Sequence, residues 1–286
     1  MRTPALSVLA LAALAVSSAR AGTGAPYPMS SAVSGMSLDW STYTRLAAGS
    51  DNWPTTWAGD GSLYASFGDG PGFAGGRRSL GFARLAGSSA RTVKGTDLPV
   101  GPLRSGKSYG LLALGDTLYA FVSPGSNVAN YREARLYRAP LGTGAWRRAG
   151  WAFEKNGPER IVLPTFLQAG KGYSAGGRYV YVYAPRYAPK GRGLSVQGGT
   201  GANGIALLRA PRDDLMDRQS WQYFAGLDRD GDPRWSGKPG ALRPTINDAA
   251  GVGWTVSAVY DRPLRRYLVD LHHLRRSEGI YRRPAA

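Results

Sequence analysis

From about Met36 onward the chain is filled with short runs of alternating or aromatic-rich residues, separated by Gly, Pro, Asp and Asn. No amphipathic helical window longer than about two turns interrupts them. The pattern predicts an all-β chain. Its clearest unit is a hairpin, in which Thr55 to Ala58 and Leu63 to Phe67 flank Asp60-Gly61, a pair suited to the positive-φ positions of a tight turn. Asp51 lies nine residues before Asp60 and Asp69 nine after it, so folding returns both carboxylates to the end away from the turn.

The hairpin recurs. Tyr109 to Val122 repeats the order of strand, Gly/Asp turn, Leu-Tyr and second strand; Pro164 to Gln168 with Tyr179 to Tyr183 repeats it with a longer turn; Trp254 to Tyr260 with Arg266 to Leu271 is a fourth copy. A further strand follows each one: Leu80–Leu85, Ala134–Pro140, Ile205–Pro211 and Gly279–Pro284, the last three with an Arg shortly before a Pro. Trp146 and Trp221 then stand where a fourth, outer strand would begin. A β-sandwich also yields many short strands. Repetition in this order favours a β-propeller, five-bladed by expectation with four blades visible, as a single domain over 36–286. Met36 to Leu46 is expected to add the missing outer strand of the last blade and close the ring.

Composition adds an address and a charge. Arg2, the apolar run Ala5 to Val16 and Ala19-x-Ala21 read as a signal peptide over 1–21, followed by a disordered lead-in over 22–35. The expectation is an exported protein, periplasmic or extracellular, with no membrane span, since that run is too short to cross a bilayer comfortably. The formal net charge is +17, two less once Arg2 and Arg20 are removed. Such a cation attracts polyanions, although charge spread over a solvated surface explains the number equally. No Lys/Arg block longer than two residues and no nucleic-acid-binding motif occurs, so nucleic acid is not the expected partner. With no Cys, disulfides and thiolate metal sites are excluded.

Several stretches taken together carry a resemblance. Asp51-Asn52-Trp53-Pro54-Thr55-Thr56-Trp57-Ala58, Gly68-Asp69-Gly70, Phe224-Ala225-Gly226-Leu227-Asp228, Gly253-Trp254-Thr255-Val256-Ser257 and Gly279-Ile280-Tyr281 resemble the bacterial family known as domain of unknown function 4185. The resemblance spans roughly Met36 to Pro284. It implies a secreted five-bladed propeller, and some relatives are endo-acting D-arabinanases. One departure is local: where relatives carry a Glu-His pair after the strand matching Arg266 to Leu271, this chain has His272-His273.

In a propeller the innermost strands line a central channel, and loops at one rim form the usual ligand site. Asp51 and Asp69 fall at that rim. A glycosidase needs two carboxyl groups, one protonated to assist the leaving group and one ionised, so these two are the candidate catalytic pair. Their plainer roles are a turn cap for Asp51 and a loop former for Asp69 between two glycines. The same geometry makes Asn52, Trp53, Lys107, Tyr109, Arg186, His272 and His273 candidate substrate contacts. Trp53, Trp57 and Tyr109 suit sugar stacking or core packing. The expected partner is a polysaccharide or cell-envelope glycan met by a monomer. Two alternatives stay open: a lyase of an acidic polymer using Tyr109, Lys107, Arg186 and His272, or a glycan-binding propeller without catalysis.

Four pattern matches carry less. Gly101 to Ser108 fits GxxxxGK[ST] and Gly106 to Gly110 fits GxSxG, but a strand follows where both motifs need a helix. Gly70 to Gly75 fits GxGxxG without a βαβ unit. Asp228 to Asp232 hints at calcium, but an EF-hand loop needs its Gly sixth and a Glu twelfth. No cofactor is expected, a structural calcium ion at that loop being the one exception left open.

Overall fold

A computed structural model of the chain describes residues 35–125, 131–187, 202–247, 251–273 and 279–283, with the backbone alone for 202–203, 254, 272–273 and 279–283. The predicted signal peptide and all of the lead-in but Gly35 lie outside the described residues. The first hairpin forms as β1 (Thr55–Trp57) and β2 (Leu63–Phe67), with Thr55 opposite Ala65. Its turn is longer than the two-residue type the sequence implied. Only Gly61 has positive φ, and the Gly61 N–H donates to Ala58 O (3.1 Å) while the Ala58 N–H donates to Ser62 O (3.0 Å). The Asp60 carboxylate accepts from the Ser62 N–H (2.8 Å), which satisfies the widened turn.

With β3 (Gly81–Ala86) and β4 (Lys94–Leu98) the hairpin completes a four-stranded antiparallel sheet in sequence order. The second blade repeats this with β5 (Lys107–Leu114), β6 (Thr117–Ser123), β7 (Glu133–Pro140) and β8 (Arg147–Glu154). The third holds β9 (Thr165–Phe166), β10 (Tyr179–Tyr187), β11 (Ala202–Pro211) and β12 (Gln222–Leu227), and the fourth β15 (Val252–Asp261), β16 (Arg266–His273) and β17 (Gly279–Arg283). The chain is thus an all-β propeller of antiparallel blades, and the four blades of the described residues are those marked by the repeats. Trp146 and Trp221, both buried, immediately precede outer strands β8 and β12.

Two details depart from the repeat. The third sheet has six strands, because β13 (Pro233–Ser236) pairs with β12 and β14 (Pro244–Asn247) pairs with β11. Strand β11 is ten residues long; Leu208 and Arg209 pair with β12, while Gly204 to Ala206 pair with β14, so one long edge takes two partners. Met36 to Leu46 does not form the expected outer strand. Asp39 accepts from the Ser41 N–H (3.0 Å) and caps a 3-10 turn over Trp40–Thr42, leaving Met36 and Trp40 more than two-thirds exposed.

The inner strands succeed one another around the axis. Thr56 Oγ1 on β1 accepts from the Ala113 N–H on β5 (3.0 Å). Gln168, just past β9, reaches two other blades: its Nε2 donates to Leu111 O (2.9 Å), its N–H donates to Ala258 O (2.9 Å), and its carbonyl accepts from the Tyr260 N–H (2.8 Å). Apolar core fills the spaces between neighbouring blades. Phe121, Phe153, Phe166 and Trp221 pack between the second and third blades, with Phe121 and Phe166 stacked at 4.8 Å. Tyr64, Phe82, Leu111 and Trp146 do the same between the first and second.

Candidate active site

A cavity of about 220 Å³ lies where the four inner strands meet. It is lined by Asn52 to Thr55, by Tyr109 and Leu111, by Thr165, Phe166 and Gln168, and by Thr255 to Ala258. Thr165, Gln168, Thr255 and Ser257 give it polar groups, none of them among the site residues expected from the sequence. Their signal was present, since each belongs to or adjoins the first strand of a repeat.

Asp51 and Asp69 stand at the rim, at the open end of the first hairpin. The Asp51 N–H donates to Gly68 O (2.9 Å) and the Gly68 N–H donates to Asp51 O (2.8 Å). Continuing the β1–β2 register would set Asp51 opposite Asp69 instead. The one-residue slip coincides with left-handed backbone at Asn52 (φ 54°) and Asp69 (φ 55°), a region that Asn and Asp enter more readily than most residues.

The two acids feel each other. Loss of solvent, and then the negative charge of Asp69, hold the Asp51 carboxyl above the ordinary carboxylate range. Lys107, a hydrogen bond from Asn52 Nδ2 to Asp51 Oδ1 (2.7 Å) and Arg77 act in the opposite direction. Asn52 is thus a neighbour that orients the acid. Asp69 is ion-paired with Lys107, whose buried ammonium also donates to Ser79 O (2.9 Å). Lys107 was expected to meet substrate; it is engaged within the protein, holding the loop acid in place.

Glycine makes this approach possible. A Cβ on Gly68 would lie 2.9 Å from Lys107 Nζ and 3.0 Å from Ser79 O, and one on Gly70 would lie 2.2 Å from Gly49 O. Behind the acids, the hydroxyls of Tyr109 and Tyr131 are 3.4 Å apart. Burial, with added repulsion from Asp51 and Asp69, pushes both phenols up, Tyr131 to about 12. Tyr131 had no repeat or motif to mark it.

The remaining candidates fall elsewhere. Trp53 borders the cavity, but its ring stacks on Phe67 at 5.1 Å and meets Phe73 edge-on at 5.8 Å, so it is mainly a packing residue. Trp57 is half exposed at the far, turn end of the hairpin, where its Nε1 donates to Gly61 O (3.3 Å). Arg186, near the rim end of β10, donates through Nη1 to Leu242 O (2.8 Å) and faces Arg160 and Arg243. His272 and His273 end β16 at the same rim, and their side chains lie outside the described residues. Asp228 to Asp232 is the turn between β12 and β13, its Asp228 carboxylate accepting from the Asp230 and Asp232 N–H groups (3.0 and 2.9 Å).

No protein-family model and no curated protein matches the chain. Among solved structures it is similar to a glycosyl hydrolase from Bacteroides ovatus, at 11% identity and a TM-score of 0.43, covering 82% of this chain and 66% of that one. It is also similar to a GH43_1 enzyme from Xanthomonas citri complexed with xylotriose, at 12% identity and a TM-score of 0.40, covering 86% and 89%. At such distances no residue of either is matched to this rim, whose chemistry stands on its own geometry.

Proposed function

We propose that the protein is an exported glycoside hydrolase that cleaves a polysaccharide, with Asp51 as proton donor and Asp69 as the ionised partner. The observation that carries this reading is an unequal pair beside Asn52, a residue that lines the cavity although neither acid does: one carboxyl is held towards its protonated form, the other is ion-paired with a buried lysine. Glycoside cleavage uses that division of labour. The protonated acid gives its proton to the departing glycosidic oxygen, while the carboxylate either attacks the anomeric carbon or takes a proton from the attacking water.

Membership of the family of domain of unknown function 4185, with a furanoside polymer such as an arabinan as substrate, belongs to the same proposal and rests on the motifs around Asp51 and Asp69. The lyase alternative fits the site less well. Of its four residues, the Tyr109 phenol is made hard to deprotonate by burial and Lys107 is already paired, which leaves Arg186 and His272, the latter with its side chain outside the described residues.

The test is release of reducing ends from arabinan, xylan and uronate polymers, followed in parallel with absorbance near 235 nm. Hydrolysis predicts new ends without an unsaturated product, and their loss in Asp51→Asn and in Asp69→Asn. Unsaturated product that persists in those variants would replace the hydrolase with a lyase. Glycan binding without new ends would leave a binding module.

A further inference from the structure

Three arginines gather at the rim end of the third blade. Arg186 Nη1 and Arg243 Nη1 both donate to the same carbonyl, that of Leu242, at 2.8 and 3.4 Å. Arg160 stands beside them, its carbonyl accepting from the Tyr187 N–H (2.9 Å) and its backbone in the left-handed region (φ 59°). Bringing three guanidinium groups together costs repulsion, and burial adds to it; both effects, burial first, destabilise the charged form of Arg186.

An anion would relieve that cost, and among the described residues Glu159 does so only in part, the smallest of the effects acting on Arg186. The neighbouring acid, Glu159, is buried and already committed: it is ion-paired with Arg218 and accepts from the Tyr223 hydroxyl (2.8 Å). A carbonyl oxygen supplies lone pairs but no charge. Two donors remain unused, the Nε–H of Arg160 and that of Arg186, each shielded from water and without a partner among the described residues. Guanidinium groups bind oxyanions through paired N–H groups, so the unused donors and the charge left over among the described residues call for the same ligand.

The cluster lies on the same rim as Asp51 and Asp69. Strand β5 begins there at Lys107 and β10 ends there at Tyr187, and Tyr109, Tyr131 and Tyr187 share one apolar cluster. We propose that Arg160, Arg186 and Arg243 form a subsite for an oxyanion carried by the glycan, a uronic acid carboxylate or a phosphate ester. The inference rests on the rim being a glycan site, and it adds that the glycan carries an acidic group, so that a plain neutral arabinan would be only part of the substrate.

The experiment is titration of the full chain at fixed ionic strength with polygalacturonate, with its methyl ester, which removes the charge from the same backbone, and with a phosphorylated mannan. The expected result is that one or both anionic polymers bind at least about tenfold tighter than the ester, the tighter one identifying the oxyanion. Arg186→Gln with Arg243→Gln should erase about tenfold or more of that affinity, whereas Arg91→Gln with Arg147→Gln, two exposed charges, should change it less than about twofold. Equal losses in the two double variants, or equal binding of the ester, would overturn the proposal. If the first double variant does not fold, the exposed Arg243→Gln alone should still weaken acidic polymer binding about threefold or more. Asp51→Asn, which removes a carboxyl from the same rim, should bind acidic polymer at least as tightly as the parent does. Arginine-dependent binding without hydrolysis would therefore defeat the enzyme reading alone, and Asp51-dependent hydrolysis without arginine dependence would defeat the subsite alone.

Discussion

The ammonium of Lys107 is paired with the carboxylate of Asp69, yet the lysine side chain is 3% exposed and the aspartate 40%. The two partners are therefore not equivalent. Asp69 can be solvated if it loses the lysine, but Lys107 cannot be solvated if it loses the aspartate without moving β5.

The first prediction follows from that asymmetry. Asp69→Asn should lower stability by about 1–3 kcal/mol, because a buried ammonium exchanges its paired carboxylate for a neutral amide, keeping the Ser79 carbonyl and the weaker pull of Asp51. Lys107→Met should cost less, since the methionine fills much of the same volume and Asp69 turns to water. Urea denaturation of the two variants checks the order, and a larger loss for Lys107→Met would contradict it.

The second concerns pH. The Asp51 carboxyl is raised above 3.8 in the folded chain, so the fold holds that proton more tightly than the unfolded chain does. The group costs nothing below its unfolded value, and its charged form subtracts stability as pH rises through the folded one. Asp51→Asn should thus be neutral or slightly stabilising at pH 7, with the gain gone below about pH 4. With Asp51 as proton donor, kcat/KM should fall on the alkaline side as that carboxyl ionises. A pH–rate profile whose alkaline limb lies at the ordinary aspartate value or below would count against Asp51 as the acid.

Gly70→Ala supplies a third test. Its Cβ would fall 2.2 Å from Gly49 O and 2.4 Å from Ser50 Cα, so the loop before Asp51 must shift. The expected cost is about 1–3 kcal/mol together with loss of activity. Gly177→Ala, where a Cβ meets open space, is the control that should leave activity unchanged.

A fourth concerns the buried acid beside the arginine cluster. Glu159 is 2% exposed and ion-paired with Arg218, whose guanidinium also lies 5.1 Å from the Phe153 ring centre. Arg218→Met should destabilise by about 3–5 kcal/mol, since it strands a buried carboxylate. Calorimetry at pH 7 would show this as a lowered unfolding temperature.

What could be read in the sequence, and what could not, divides by the kind of signal. The blades were legible because strands such as Thr117–Ser123 and Glu133–Pro140 carry period-two or aromatic patterns that hardly depend on tertiary context. The acid pair was legible because it brackets one hairpin. Met36 to Leu46 misled because the last blade showed three strands and ring closure asked for a fourth, whereas Asp39 capping a turn decides the segment's conformation. Arg160 and Arg243 were invisible for a different reason. One sits on left-handed backbone and the other follows the 3-10 turn at Pro239–Ala241, so no periodicity places either beside Arg186.

Gln168 has a consequence for how the ring comes apart. Architectures built of repeated units can unravel one unit at a time, since each contacts only its neighbours. This glutamine binds carbonyls of the second and fourth blades from the third, through side chain and main chain together. Opening any one of the three therefore strands polar groups in the others, which couples them into one cooperative transition. The amides of Gln168 and Tyr260 should then exchange with solvent in step, reporting a shared opening free energy instead of separate local ones.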